Sequence, residues 1–292
     1  MKPAAFDYEA PETVEEAVAL LGAHGDRAKV LAGGQSLVPL MNMRLARPEV
    51  VVDINRIRSL DYLTADAGVL AFGALCRQRA AERSAAVARL CPLLGDALAL
   101  VGHAQIRNRG TVVGSLAHAD PAAELCAVLA ALGGTVTAVG PGGARSIPAE
   151  DLFVSYLTTS LDPRELVTEA RFPALPRGAG WAWKEISRRH GDFALAGVGV
   201  VLAVRGGTVA HARIALIGVG PTAVRASRAE RSLVGAAPSD GLWEDAADAV
   251  RSEVEPDADI HASAEYRRHV AGVLTRRALV EAATRARRRR RR

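Results

Sequence analysis

The residues best suited to hold a ligand form a short glycine turn near the start of the chain. The apolar run Lys29 to Ala32 leads into Ala32-Gly33-Gly34-Gln35-Ser36, and helical composition continues from Ser36 to Arg44. A glycine turn between a strand and a helix can aim backbone amides at a diphosphate, and Ser36 adds a hydroxyl. By itself this is weak evidence, because such a glycine pair is more often only a turn. The turn also lacks the G-x-G-x-x-G and G-x-x-x-x-G-K-S/T patterns, which disfavours a Rossmann or P-loop assignment.

A second segment of small and hydroxyl-bearing residues runs from Thr111 to Ser115. It lies inside Gln105 to Asp120, a polar stretch punctuated by glycine, which predicts an irregular loop. From these residues alone, a surface loop and a ligand contact are both open interpretations.

The cysteines and histidines argue against a metal centre on this chain. Cys76, Cys91 and Cys126 lie 15 and 35 residues apart, far from the short spacings that hold zinc or iron–sulfur clusters. The seven histidines are scattered, without an H-x₃-H pair. We therefore predict reduced, buried thiols and no metal ligands.

The basic charge of the chain is concentrated at its end. Arg285 and the run from Arg287 to Arg292 provide seven positive charges, so the remainder of a chain whose total is +5 carries −2. A terminal run of like charges is usually solvated and disordered, and no other basic motif supports nucleic-acid binding. The N-terminus shows no secretory signal and no apolar run is long enough to cross a bilayer, so we expect a cytoplasmic protein.

The elements around the two segments predict an α+β protein with two domains. The first sixty residues have the pattern helix, strand, glycine turn, helix, strand, and further helices and strands follow to residue 172. A cluster of proline and glycine from Pro173 to Gly180 marks the boundary. Beyond it, three strands over 181–187, 195–204 and 209–217 predict a small antiparallel sheet, and three helices follow. The predicted divisions are 1–176, itself split near 55–60, then 177–286, and an arginine tail over 287–292.

Taken together and in order, the two segments resemble a known family. Ala-Gly-Gly-Gln-Ser-Leu from Ala32 is followed about 75 residues later by Arg-Asn-Arg-Gly-Thr-Val-Val-Gly-Ser-Leu-Ala-His-Ala-Asp-Pro-Ala-Ala-Glu from Arg107. This order is similar to the FAD-binding medium subunits of molybdenum hydroxylases, such as carbon monoxide dehydrogenase and the xanthine, aldehyde and N-heterocycle oxidoreductases. The likeness extends to Ser187-Arg188-Arg189 and Gly191-Asp192-Phe193-Ala194 and leaves only the arginine tail outside.

The resemblance implies a two-subdomain FAD-binding fold of the vanillyl-alcohol-oxidase (PCMH) type, followed by a smaller C-terminal domain. It also implies a set of cofactor-binding positions and neither a catalytic residue nor a metal ligand. Glu124 would contact the cofactor, Leu166 or Val167 would line the adenine pocket, and Lys184 would contact FAD from the first strand of the second domain. The implied cofactor-binding residues are Val30, Leu31, Ala32, Gly33, Gly34, Gln35, Ser36, Leu37, Val101, Gly102, Thr111, Val112, Val113, Gly114, Ser115, Glu124, Leu166, Val167, Lys184 and Phe193.

Two positions depart from the family pattern. Val113 stands where the family usually has a glycine, so we predict a strand-like backbone there and a close approach to the pyrophosphate only at Gly114. Phe193 stands where relatives often have a tyrosine near the isoalloxazine ring, which leaves ring packing without a phenol.

The resemblance further implies an electron relay. Substrate would be oxidised at a molybdopterin centre on a large partner subunit, and electrons would cross two 2Fe–2S clusters on a small partner subunit before reaching FAD on this chain. The acceptor would be NAD⁺, a quinone or oxygen, and the assembly would be a dimer of heterotrimers. Two alternatives are a stand-alone flavin-dependent oxidase or reductase of the same fold and, from another class, a nucleic-acid-binding or scaffolding protein that uses the arginine tail.

Overall fold

The structure of the chain is a computed structural model that describes residues 1–290. Its first part is a small parallel sheet in the order β1-β3-β2, covered by two helices. Thr13 starts the first helix by accepting a hydrogen bond from the Glu16 amide at 3.1 Å. The elements are β1 (Asp7–Glu9), α1 (Val14–His24), β2 (Ala28–Leu31), α2 (Leu37–Asn42) and β3 (Val50–Asp53).

The second part is built on an antiparallel sheet of five strands in the order β4-β5-β10-β6-β7, with helices packed against it. A two-stranded hairpin, β8-β9, projects from this part. The elements are β4 (Leu63–Asp66), β5 (Val69–Gly73), α3 (Gln78–Glu82), α4 (Ala85–Leu90), α5 (Pro92–Leu98), α6 (Ala104–Arg109), α7 (Val112–His118), α8 (Glu124–Leu132), β6 (Thr135–Gly140), β7 (Gly143–Pro148), α9 (Ala149–Leu152), β8 (Phe153–Ser155), β9 (Thr158–Thr159) and β10 (Leu166–Pro173).

The third part is an antiparallel sheet in the order β11-β12-β13-β14 with three helices. The three predicted strands are present, and a fourth strand of two residues extends the sheet. The elements are β11 (Gly180–Ile186), β12 (Ala196–Arg205), β13 (Thr208–Ile217), β14 (Val224–Arg225), α10 (Ser227–Leu233), α11 (Asp240–Glu253) and α12 (Ala264–Arg290). The predicted α+β class is therefore confirmed.

The third sheet is covered on both of its faces. On one face Trp183, Val201 and Ile217 join the hydrophobic core of the preceding helices, among them α5 and α8. On the other face Ala182 and Val200 pack with α11 and α12. Burial on both sides explains why β12 is an almost continuous apolar run rather than an alternating one. The second and third parts thus share a packed boundary.

The arginine tail does not begin as a disordered segment. α12 continues to Arg290, and the guanidinium of Arg289 lies 5.3 Å from the ring centroid of Trp181. Arg285 lies 4.7 Å from the same ring and donates to Asp96 Oδ2 at 2.9 Å. The expected disorder of the tail is therefore wrong as far as Arg290, because α12 continues and a cation–π contact and an ion pair hold this end of the helix, whereas Arg287, Arg288 and Arg289 are exposed to solvent as expected. Arg291 and Arg292 lie outside the described residues.

No helix within residues 1–290 combines the length and the apolar character needed to cross a membrane.

Candidate cofactor-binding site

The first glycine segment forms a turn whose amides point away from the protein's own acceptors. It connects β2 to α2, and Gly34 adopts a φ of +71°, which favours glycine. Within residues 1–290, no protein acceptor receives the backbone N–H groups of 33–37, and the Ser36 hydroxyl makes no capping bond. Consecutive free amides in a turn form a concave donor surface of the kind that binds anions. This arrangement fits a diphosphate.

The second segment is helical, so its prediction as an irregular loop is wrong. α6 and α7 occupy most of it, and Thr111 caps α7 by accepting a hydrogen bond from the Gly114 amide at 3.0 Å. Val112 and Val113 are buried in the core. Val113 is therefore helical rather than strand-like, because the cap and the burial of its side chain both favour the helix. The Gly114 amide is already bonded, whereas the Ser115 side chain has no hydrogen-bond partner among the described residues.

The two segments pack directly against each other. A Cβ built on Gly33 would lie 2.5 Å from the carbonyl oxygen of Arg109 and 2.8 Å from Cα of Gly110. Real Cβ atoms do not approach backbone this closely, so only glycine at position 33 permits the contact. The turn from Ala32 therefore packs directly against the residues that lead into Thr111.

A side-chain bridge that the sequence did not reveal holds the segments together. Arg77 donates to the Arg109 carbonyl oxygen at 2.7 Å and to Asn55 Oδ1 at 2.7 Å. Asn55 in turn donates to the Ala32 carbonyl oxygen at 2.8 Å. Both residues follow strands, but nothing in their spacing showed that they meet. Through Asn55 and Arg77, the bridge links the Ala32 carbonyl of the first segment to the Arg109 carbonyl just before the second segment.

The ion pair between Arg107 and Glu82, which is largely buried, positions Val101 and Gly102. Arg107 donates to the Val101 carbonyl oxygen at 2.9 Å and to that of Gly102 at 3.3 Å. It also binds Glu82 through Nε and Nη2, at 2.9 and 3.2 Å. Burial opposes ionisation of Glu82, but hydrogen bonds from Arg107 and Arg79 hold the pKa of its carboxyl below the ordinary value.

Three other predicted residues lie on the boundary with the core. Leu166 and Val167 belong to β10, and both side chains are buried. Glu124 is the first residue of α8 and is largely enclosed. Burial, followed by the nearby negative charge of Glu185, raises the pKa of Glu124 to about 8.

Lys184 and Phe193 are not brought into this surface by side-chain contacts. The Lys184 side chain leaves β11 on the face of α12 and pairs with Glu281 at 2.5 Å. Its neighbours Trp183 and Glu185 occupy the opposite face because side chains alternate along a strand. Phe193 is 74% exposed, although the loop that carries it rests against the His103 ring at Gly191.

This placement allows the contribution of Lys184 to FAD binding to be tested. If its contribution is the ion pair, K184A and E281A should each change the FAD dissociation constant by no more than about fivefold, the equivalent of about 1 kcal/mol, since partly exposed pairs contribute little. Flavin fluorescence titration of the two purified variants measures this. A large loss of affinity confined to K184A would instead place Lys184 at the cofactor.

Comparison with known proteins yields matches over both parts of the chain. Residues 4–175 match the family described as the FAD binding domain in molybdopterin dehydrogenase. Residues 181–282 match the CO dehydrogenase flavoprotein C-terminal domain.

Individual relatives match at nearly full length. The alpha subunit of the 6-hydroxypseudooxynicotine dehydrogenase complex of Paenarthrobacter nicotinovorans is 44% identical, over 98% of this chain and 97% of that one. Carbon monoxide dehydrogenase from Hydrogenophaga pseudoflava contains a chain with a TM-score of 0.95 at 42% identity, covering 98% and 99% of the two chains. For quinoline 2-oxidoreductase from Pseudomonas putida 86 the TM-score is 0.92 at 36% identity, with 98% and 99% covered.

Proposed function

The chain belongs to the family of FAD-binding medium subunits of molybdenum hydroxylases, and from that membership we propose that it passes electrons from the 2Fe–2S clusters of a partner subunit to an external acceptor. It carries the FAD-binding domain of an oxidoreductase complex. Bound FAD supplies the redox chemistry, accepting electrons from a donor and delivering them to an acceptor. The protein's own residues bind and orient the cofactor and set its surroundings.

The observation that carries this proposal is the joined surface of the two glycine segments. The free amides of 33–37 and the Ser36 hydroxyl would hold the pyrophosphate from one side. The Ser115 hydroxyl would complete the contact from the other side, while Thr111 and Gly114 keep α7 in place through their capping bond. Arg77 would hold the two segments together, and Arg107 would hold Val101 and Gly102 in place. The remaining residues named from the resemblance stay proposals for binding.

The partners follow from the same membership. We propose a large molybdopterin-binding subunit and a small 2Fe–2S subunit, in a dimer of heterotrimers located in the cytoplasm. The three cysteines of this chain are buried free thiols, and burial raises the pKa of Cys76 and of Cys91 to about 12 and also raises that of Cys126. We place the domain boundaries at 1–176 and 177–286.

Rapid-mixing reduction of the FAD-loaded chain tests the proposal. The isolated chain should be reduced by dithionite but not by carbon monoxide, aldehydes or N-heterocycles, because in this proposal the substrate is oxidised on a partner subunit. Reduction by a substrate of one of these classes should appear only when the two partner subunits are co-purified. Substrate-driven reduction of the isolated chain at catalytic rates would favour the stand-alone oxidase or reductase.

A further inference from the structure

A cleft with three arginines in its lining lies at the edge of the third sheet. It is formed by residues of β13, β14, α10 and the residue that follows α10, and its volume is about 410 Å³. The arginines are Arg213, Arg225 and Arg231, and Ser227 and Glu230 lie among them. The cleft shares no residue with the two glycine segments, so it is a site separate from the proposed FAD surface.

A single buried carboxylate organises the cleft. Glu230 on α10 is 4% exposed and accepts a hydrogen bond from the Ile214 amide at 2.9 Å. Its two oxygens also accept from Nη2 and Nε of Arg225, at 2.6 and 3.1 Å, which fixes the plane of that guanidinium. Nη1 of Arg213 lies 3.7 Å from Glu230 Oε2. One acid therefore holds two guanidinium groups at the wall of the cleft.

The positive charge of the cleft exceeds its negative charge. Arg231 is exposed and makes no ion pair within residues 1–290, so three guanidinium groups face one carboxylate. Glu150 of α9 also acts on Arg225, but it is exposed and solvent screens its charge. Burial lowers the pKa of His211 on β13, and the positive charges of Arg213 and Arg225 lower it further. The neighbouring imidazole thus senses the same positive potential.

Hydrogen-bond donors remain free at this charged wall. The Ser227 hydroxyl has no hydrogen-bond partner in the described part of the chain. Arg213 donates from Nη1 to the Ala212 carbonyl oxygen at 3.1 Å, which leaves the other N–H groups of its guanidinium available. The first amides of α10 are bonded to Glu253, so side chains rather than the helix terminus supply the donors.

The charge and the donors fit a phosphate group better than a carboxylate. A phosphate monoester carries about −1.5 to −2 at pH 7 and has three acceptor oxygens, whereas a carboxylate carries one charge and two oxygens. The planar guanidinium fork matches phosphate oxygens in pairs. A surplus of two guanidinium charges over the single carboxylate is therefore matched by one phosphate dianion.

We propose that this cleft binds the phosphate group of a small molecule, with Arg213, Arg231 and Ser227 donating to its oxygens and with Glu230 and Arg225 supporting the wall. The proposal does not rest on the proposed function, because none of its contacts involves FAD. The source of the group is inorganic phosphate or a short phosphate monoester. Val234, which is 51% exposed at the cleft, would contact the organic part of an ester, so phenyl phosphate should bind more tightly than inorganic phosphate.

Calorimetric titration of the FAD-loaded chain with inorganic phosphate, at constant ionic strength, tests the proposal. One phosphate should bind at the cleft, and R231A and R213A should each raise its dissociation constant about tenfold or more, because each removes a hydrogen bond from a charged donor. R89A is the matched control, since Arg89 is an exposed arginine on α4 outside the cleft, and it should bind phosphate as the native chain does. Acetate, with one charge, should bind at least tenfold more weakly than phosphate.

A second set of variants separates binding from folding. R231A and S227A leave the Glu230–Arg225 pair intact, so both should unfold at the native denaturant concentration while their phosphate affinity falls. These variants alter only the cleft, so their difference from the native chain has the same meaning whether or not FAD is bound. Tighter binding of phenyl phosphate would identify an ester as the ligand, and equal binding would identify free phosphate, both in support of the site.

Three results would overturn the proposal. The first is the absence of saturable binding of inorganic phosphate and of phenyl phosphate by the folded native chain. The second is equal phosphate affinity in the native chain, R231A and R213A, which would place any bound phosphate elsewhere. The third is acetate binding as tight as phosphate binding, which would contradict a site for a dianion.

Discussion

Replacing Gly33 with alanine is expected to yield a folded chain that purifies largely without FAD. The added Cβ would overlap the Arg109 carbonyl oxygen and the Gly110 Cα, which are backbone atoms and cannot rotate away. The turn and the second segment would have to separate, and the free amides would no longer converge with the opposite side. Overpacking of this kind costs about 1–3 kcal/mol, and if binding FAD requires the native contact, the loss of FAD affinity should be about 5- to 150-fold. G33V should lose more.

Flavin stoichiometry after purification and fluorescence titration of the FAD-free protein measure this loss. G142A is the matched control, because a Cβ on Gly142 meets no atom within 4 Å and the substitution also lies in a turn. It should retain FAD at the native level. G33A protein that kept a full complement of FAD with native affinity would show that the pyrophosphate lies elsewhere.

Much of the site could be predicted because it is local in sequence. The turn at Gly33 and Gly34 is contained in one strand-to-helix connection, so the sequence predicted a glycine turn that could aim amides at a diphosphate, although that evidence alone was weak. The motif order supplied the family and the cofactor, and the family match confirms both. The apolar run of β12 and its hairpin to β13 were also visible, because the pattern lies within neighbouring residues.

Other features depend on partners that are distant in sequence. Thr111 to Ser115 resembled a loop because its glycine and hydroxyl content is that of a loop, whereas burial of Val112 and Val113 against the core, together with the Thr111 cap, favours a helix. The arginine tail was expected to be disordered because Trp181, whose ring Arg289 contacts, lies more than a hundred residues away. For Lys184 the strand was evident, but the face that meets the FAD-binding domain was not.

The bridging residues show the same limit at the site itself. Asn55 and Arg77 belong to no motif, and each joins two segments only after three parts of the chain have come together. The motif therefore identifies the residues proposed to contact the ligand, whereas the residues that hold those segments in place, such as Asn55 and Arg77, are found only from the structure. Substituting such a support provides a strong test of the site without altering any proposed contact.

Removing Glu82 is expected to be the most destabilising substitution near the site. The Arg107 side chain is 8% exposed, and Glu82 is its only carboxylate partner among residues 1–290. E82A would leave a buried guanidinium without a counter-charge, which typically costs about 3–5 kcal/mol. FAD affinity should fall as well, because Arg107 would be displaced from Val101 and Gly102. Denaturant unfolding and FAD titration measure the two effects.

The dependence of folding stability on acidic pH provides a second test of the Glu82–Arg107 pair. Glu82 has a depressed pKa in the folded chain, so its contribution to stability is present above the unfolded pKa and is lost as the pH falls through the folded value. E82A should therefore lose less stability on acidification than the native chain does. R27A, at an ion pair whose side chains are 56% and 65% exposed, is the control and should change the free energy of unfolding by less than about 1 kcal/mol.

A double substitution separates stability from the binding role. E82L with R107M removes both charges and fills the volume with apolar groups, an exchange that is often neutral in buried pairs. Unfolding free energy should recover most of the loss seen in E82A. FAD affinity should remain low, because the Val101 and Gly102 carbonyls would still lack their donor and the loop before α6 would be free to move. If the double variant recovered both stability and FAD affinity, Arg107 would contribute only to folding. If the free energy of unfolding of E82A lay within about 1 kcal/mol of the native value, the Glu82–Arg107 pair would not stabilise the site as proposed.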